Sequence, residues 1–151
     1  MDSIDKRIIS ILQENARTPL KVIAEKTYLS SPAVSARIDR LEKEGIITGY
    51  TAKVNMVKLG YHITAFINLE VEPSQKVEFY PYIESCTNVL ECNCVTGDYS
   101  MLIKVAFAST TGLDHFIGQL QKYGKTSTQI VFSTHAGPRD VKVDLNESVS
   151  K

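Results

Sequence analysis

Residues 30–45 read S-S-P-A-V-S-A-R-I-D-R-L-E-K-E-G, and the fold of the first part of the chain turns on them. The stretch opens with helix-start chemistry. The Ser31 hydroxyl can accept from a free first-turn N–H, and Pro32 suits the first helical position, where its missing N–H costs nothing. It closes on Gly45, suited to the left-handed residue just past a helix end. Between these signals Val34, Ile38 and Leu41 recur at i, i+4 and i+7 and form one apolar stripe. At about 100° per residue, Pro32, Ala36, Asp39, Arg40 and Lys43 point away from that stripe, and Arg37 lies on its flank. A helix buried on one side, with small residues and cations on the other, suits a DNA major groove. An ordinary amphipathic surface helix carries the same pattern, so the neighbouring segments must decide.

Working outward towards the N-terminus, Asp2–Asn15 reads as a helix capped by Asp2 or Ser3, with Ile4, Ile8, Ile11 and Leu12 on one face. Thr18-Pro19 is a second start signal, and Leu20, Ile23, Ala24 and Thr27 follow it on a short helix of about two turns. Tyr28-Leu29-Ser30 is the connection, with Leu29 available to plug the core between the helices. A short helix, a tight turn and a longer helix with outward cations make a helix-turn-helix, and the first helix supplies the third packing partner. After Gly45, I-I-T-G-Y-T-A-K-V-N suggests an extended segment with a bend, a small wing or linker strand. Val57–Gly60 reads as a turn, and the domain boundary is expected near residue 60.

The charges support this division. The net charge is zero, but residues 1–60 carry ten Lys/Arg against seven Asp/Glu, and residues 61–151 carry seven against ten. A basic first part on an acidic remainder suggests an anionic partner for the basic part. Three cysteines without framework spacing favour a reducing compartment. The charged M-D-S-I-D-K-R start lacks the apolar run of a signal peptide, and no apolar stretch reaches membrane-span length, so a cytoplasmic location is expected. Asn146-Glu147-Ser148 matches a glycosylation sequon, which in a cytoplasmic chain is a chance match.

Three pieces then stand in order at short spacing: D-S-I-D-K-R-I-I-S-I-L-Q-E-N-A-R, I-A-E-K-T-Y-L-S-S-P-A-V-S-A-R-I-D-R-L-E-K-E-G-I-I, and T-G-Y-T-A-K-V-N. Together they resemble the Lrp/AsnC (feast/famine) family of bacterial and archaeal transcription regulators, most specifically in the run from Leu29 to Ile47 followed by Gly49-Tyr50-Thr51-Ala52. The resemblance covers about residues 1–135; the tail after Gly137-Pro138 matches no usable pattern, is polar and is expected to fray.

The remainder alternates strands and helices. His62–Val71 has Ile63, Ala65, Ile67, Leu69 and Val71 on one face, with Phe66 among the polar residues of the other. Gln75–Ser85 reads as a helix with Val77, Tyr80 and Ile83 on one side, disturbed by Pro81. Val89–Val95 and Tyr99–Phe107 are strands joined closely at Gly97-Asp98, hence an antiparallel hairpin. Thr111–Tyr123 is a helix presenting Leu113, Phe116, Ile117 and Leu120, ended by Gly124, and Thr126–Thr134 is the last strand. The order βαββαβ builds a ferredoxin-like fold, with both helices on one face of a four-stranded antiparallel sheet. Phe66 and parts of Leu90, Cys92, Cys94, Met101 and Ile103 on the other face argue for cover by a second subunit. The expected fold class is therefore α+β, in two parts. A winged-helix-like helix-turn-helix DNA-binding domain spans residues 1–60. A ferredoxin-like (ACT-like) ligand-sensing and dimerisation domain spans residues 61–151. The resemblance implies the same fold, a homodimer through this domain, and dimers that often assemble into octamers.

Two places carry chemistry. On the third helix, Ser31, Pro32, Ala33, Ser35, Ala36 and Asp39 are candidates for the groove face. Arg37, Arg40 and Lys43, with Lys21 and Lys53 nearby, are candidates for phosphates of double-stranded DNA. In the second domain, the turn C-V-T-G-D-Y-S (Cys94–Ser100) exposes backbone N–H groups that can cradle a carboxylate, and Asp98 can attract an ammonium. An ordinary hairpin turn has the same composition. The resemblance raises the functional reading, because the family carries V-T-G-x-x-D here and binds amino acids near it at a subunit interface. On that match Thr96, Gly97, Asp98 and Tyr99 carry over; Ser100 stands where the family usually has Asp, and a hydroxyl cannot counter an ammonium charge. Thr126-Ser127-Thr128 resembles the family's polar stretch. Cys92 and Cys94 share a strand face, but Cys86, His62, His115 and His135 supply no second close pair for a zinc site, so no metal is expected.

No cofactor is expected, and no paired-carboxylate, nucleophile or phosphate-loop pattern indicates an enzyme. The leading expectation is a sequence-specific transcription regulator modulated by a small effector such as an amino acid. Its rival is an effector-independent architectural DNA-binding protein, favoured by Ser100. Some proteins resembling this family decarboxylate a tetrapyrrole. Those need a positive pocket in the second domain, which here is acidic.

Overall fold

The computed structural model describes residues 1–143, so the Asn146 sequon lies outside the described residues. By internal contacts the chain divides into two compact units. One is Met1–Lys53 with the segment that begins at Gly137; the other is Val54–Ala136. The division thus falls at Lys53/Val54 rather than near residue 60, and the start of the tail groups with the first unit rather than the second. One contact responsible is a 2.8 Å bond from the Gln13 side-chain amide to the Val141 carbonyl, which no periodicity in the polar tail announces.

The first unit is three helices: α1 (Ser3–Glu14), α2 (Leu20–Thr27) and α3 (Ser31–Lys43). Ile8, Ile11, Ile23, Ala24 and Val34 make its core, with Ile4, Leu12, Leu29 and Ile38 packed against it. The side chain of Asp2 caps α1 in a reciprocal capping box with Asp5. Two cap expectations are displaced. Pro19, not Thr18, precedes α2, and the Thr18 hydroxyl instead donates to the Asn15 carbonyl at 2.7 Å. Ser30, not Ser31, caps α3 by accepting from the Ala33 N–H at 3.3 Å. The helix thereby starts one residue early, and Pro32 occupies its second position. Gly45, at φ 70°, ends α3 in the left-handed conformation, and the Ile46 and Ile47 N–H groups then bond back to the Leu41 carbonyl. Beyond it, residues 48–55 pair with no strand among the described residues. Tyr50 nevertheless ties this segment to α3 through a 2.7 Å bond to the Glu42 carboxylate.

The second unit is β1 (Ile63–Val71), α4 (Lys76–Ser85), β2 (Val89–Cys94), β3 (Met101–Phe107), α5 (Thr110–Leu120) and β4 (Gly124–Ile130). The strands form one antiparallel sheet in the order β2-β3-β1-β4. Ala65, Ile67 and Leu69 from β1 and Met101, Ile103 and Val105 from β3 meet Phe79, Ile83, Leu113, Phe116 and Leu120 from the helices. Met101 and Ile103, and with them Cys92, which pairs with Ile103, therefore belong to the helix-covered core and not to the opposite face. Pairing Leu69 with Met101 and Ile67 with Ile103 obliges each pair to share one side. The other face keeps Phe66 and Leu102, with the Lys104 ammonium 5.8 Å from the Phe66 ring centre. On α4 the inward residues are Phe79 and Ile83, while Val77 and Tyr80 are exposed. The helix is turned so that Phe79 packs edge-on against Tyr123 across 5.5 Å.

Gly124 opens β4, which starts and ends earlier than expected. A Cβ there would fall within covalent distance of the Glu70 carbonyl oxygen, so only glycine allows this approach of β4 to β1.

Candidate functional site

The exposed face of α3 is as its periodicity requires. Val34 is buried in the core with residues of α1 and α2, and Leu41 is fully buried as well, an anchorage of roughly 1.5–3 kcal/mol per side chain. Pro32, Ala36, Asp39, Arg40 and Lys43 are exposed, and Ser31, Ala33, Ser35 and Arg37 are half-buried. Small side chains over the first two turns let the helix backbone approach another surface closely. Lys21 is exposed in the first turn of α2, and Lys53 is exposed in the segment after α3.

Arg37 and Arg40 are engaged within the unit. Arg37 Nη1 donates to Asp2 Oδ2 and Asp5 Oδ1, and Arg40 Nη2 donates to Asp5 Oδ2, each at 2.7 Å. Asp5 is 1% exposed. Burial alone pushes its carboxyl up, but the bonds from Arg40, the Asp2 N–H and Arg37 outweigh that and hold it at about 2. An isolated charge could not stay ionised there; two guanidiniums and the cap make it stable. Asp2 is held below its usual value by the Asp5 N–H and by Arg37. Sequence inspection missed Asp5, a polar residue between apolar ones. The available signal was that it is both the third helical residue after an Asp cap and next to the apolar face of α1.

In the second unit the turn after β2 is closed by the Val95 N–H bonding to the Ser100 carbonyl at 2.9 Å. It is longer than a two-residue hairpin, because β2 stops at Cys94 and β3 starts at Met101. Thr96, Gly97 and Asp98 are exposed, and Tyr99 is half-buried. Ser100 faces inward: its hydroxyl accepts from the Val71 N–H at 2.9 Å and lies 3.3 Å from the Leu69 carbonyl, positioned to donate. Thr126, Ser127 and Thr128 reach the same end of the sheet, opposite Leu69, Asn68 and Ile67. They do not converge on one another. Thr126 and Thr128 share the side of Leu69 and Ile67, and Ser127 shares the opposite side with Asn68. Cys92 and Cys94 are free thiols, and burial pushes the Cys92 thiol up. No group of three metal-binding side chains occurs among the described residues.

Residues 1–48 match the family model of winged helix-turn-helix DNA-binding domains, and residues 64–140 match that of the Lrp/AsnC ligand binding domain. The HTH-type transcriptional regulator LrpA of Bacillus subtilis is 36% identical over 132 residues, spanning 87% of this chain and 97% of the relative. The chain belongs to the Lrp/AsnC family of transcriptional regulators. Among solved structures, B. subtilis LrpC superposes with a TM-score of 0.85 at 29% identity, covering 91% of this chain and 99% of LrpC. The feast or famine regulatory protein of M. tuberculosis, complexed with L-methionine, superposes with a TM-score of 0.87 at 28% identity, covering 93% and 98%.

As an Lrp/AsnC regulator the chain is a DNA-binding protein, and α1–α3 lie within its winged helix-turn-helix match. Tyr28 joins α2 to α3 in this regulator, 97% exposed and in the left-handed region at φ 55°, a conformation uncommon for an aromatic residue. Leu29 packs on the core beside it, as its place in the turn requires. No helix among the described residues is long and apolar enough to cross a membrane.

Proposed function

We propose that this Lrp/AsnC regulator reads a roughly palindromic operator by laying the exposed face of α3 in the major groove. Ser31, Pro32, Ala33, Ser35, Ala36 and Asp39 face the bases, and Lys21, Lys43 and Lys53 meet phosphates. The observation that carries this reading is the sidedness of α3: Val34 and Leu41 are buried, while Pro32, Ala36 and Lys43 are exposed. Operator symmetry follows from a homodimer formed through the open face of the sheet, where Phe66 and Leu102 lack the helical cover of the other face. Octamers are a further assembly on the same dimer. The protein acts in the cytoplasm on double-stranded DNA and has no catalytic role. Removing Lys21 or Lys43 takes one phosphate contact from each subunit, so each substitution is expected to lower the salt slope of DNA binding by the dimer by about 1.8. Unchanged slopes for both variants in fluorescence anisotropy would remove these lysines from the interface.

The effector in this reading is an amino acid held between subunits at Thr96–Ser100, with Thr126, Ser127 and Thr128 at the same end of the sheet. Support comes from the ligand-binding family match and from the methionine bound in the M. tuberculosis relative. One observation favours a second reading, an architectural protein without effector: the Ser100 hydroxyl is committed to the backbone of β1. A thermal-shift screen with amino acids at millimolar concentration separates the two. A stabilising amino acid supports the first reading, and a flat response across the set supports the second.

A further inference from the structure

Arg37 and Arg40 stand one helical turn apart on α3, and both reach Asp5 on α1. Each takes a different oxygen of that carboxylate, and Arg37 also takes Asp2. Two attachments a turn apart resist both rolling and sliding of a helix, where one attachment resists only separation. The carboxylate is itself immobile: it is buried, and Asp5 Oδ2 accepts the Asp2 N–H at 3.0 Å. Its charge is permanent at any physiological pH. The cluster also has little charge to offer outside. Two carboxylates oppose two guanidiniums, and Glu44 stands 4.0 Å from Arg40.

We propose that Asp5 is a positioning residue for DNA recognition, fixing the roll of α3 through Arg37 and Arg40, which are internal struts and not phosphate contacts. This rests on the DNA-binding reading of α3 and revises the part of it that concerned these two arginines. Groove contacts by small side chains such as Ser31, Ala33 and Ser35 have short reach. A small roll of the helix therefore removes them, and specificity depends on the strut.

The test uses the full chain, a duplex enriched by the unaltered protein from a random pool, and a scrambled duplex of equal length. Both are titrated by fluorescence anisotropy across a salt series. For Arg37→Gln/Arg40→Gln and for Asp5→Asn, the preference for the enriched duplex should fall about tenfold or more. The salt slope on the scrambled duplex should stay within half a unit for the arginine variants. Arg40→Gln alone keeps the Arg37–Asp5 bond, and so the fold, and should show the same sign. A slope lower by about 1.8 per substituted arginine in the dimer would make them phosphate contacts and overturn the proposal. So would an undiminished preference. Lost folding lowers binding to both duplexes equally and leaves their ratio intact, so the ratio reports positioning. If the unaltered protein enriched no duplex from the random pool, the DNA-binding reading itself would be at fault.

Discussion

Asp5→Asn replaces the buried carboxylate by a neutral group of nearly the same shape, so it removes charge without opening a cavity. Its cost can be worked from the structure. A carboxyl held at about 2 instead of its ordinary 3.8 contributes ~2 kcal/mol to the stability of the helical unit at neutral pH. The arginines left behind are 27% and 44% exposed and can return to water. The loss therefore stays near that figure instead of reaching the 3–5 kcal/mol of a fully buried broken pair. Because the folded value lies below the unfolded one, the contribution is complete above about pH 5 and is lost as pH falls towards 2. Roughly half of it remains at pH 3. Hydrogen exchange measured by mass spectrometry on peptides from α1 and α3 should show about thirtyfold faster exchange at pH 7, the equivalent of ~2 kcal/mol, and a smaller difference at pH 3. Equal protection of the variant and the unaltered protein at pH 7 would refute the argument. So would a difference that does not shrink on acidification.

Three other substitutions have defined outcomes. Tyr28→Gly should stabilise the first unit by ~1 kcal/mol, read as a higher melting temperature, because glycine adopts φ 55° without strain and the lost ring touches almost nothing. Gly124→Ala should cost more than about 3 kcal/mol, since its Cβ meets the fixed backbone oxygen of Glu70; loss of protection in β1 and β4 reports it. Ser100→Ala leaves the part-buried Val71 N–H without its hydroxyl partner and should cost ~1–3 kcal/mol in denaturant unfolding.

Periodicity made the βαββαβ order legible because strands and helices differ in which neighbours share a face. The misplacement of Met101 and Ile103 shows where that reading stops. Alternation says which residues of a strand go together, but only pairing with β1 says which side the helices cover. The same gap explains α4. With Pro81 inside it and apolar residues on several sides, its sequence allowed more than one inward face, and contact with Tyr123 chose the one containing Phe79.

The candidate site divides in the same way. Local chemistry was enough for α3 itself: a serine cap, Pro32 near its start, Val34 and Leu41 on one stripe and Gly45 at its end are properties of neighbouring residues. The family resemblance rests on the same run, and the family match includes it. What two arginines on that helix do was not a local matter. Their partner lies 32 and 35 residues away on α1, and only the packing of α1 against α3 brings it within 2.7 Å of both. An exposed arginine on an isolated helix reads as a cation available to DNA; beside a buried carboxylate the same side chain is a strut. The sequence by itself determined which helix could face DNA, since sidedness follows from spacing. The tertiary structure alone decided which of its charges remain free, since a charge is paired or unpaired according to what the fold places next to it.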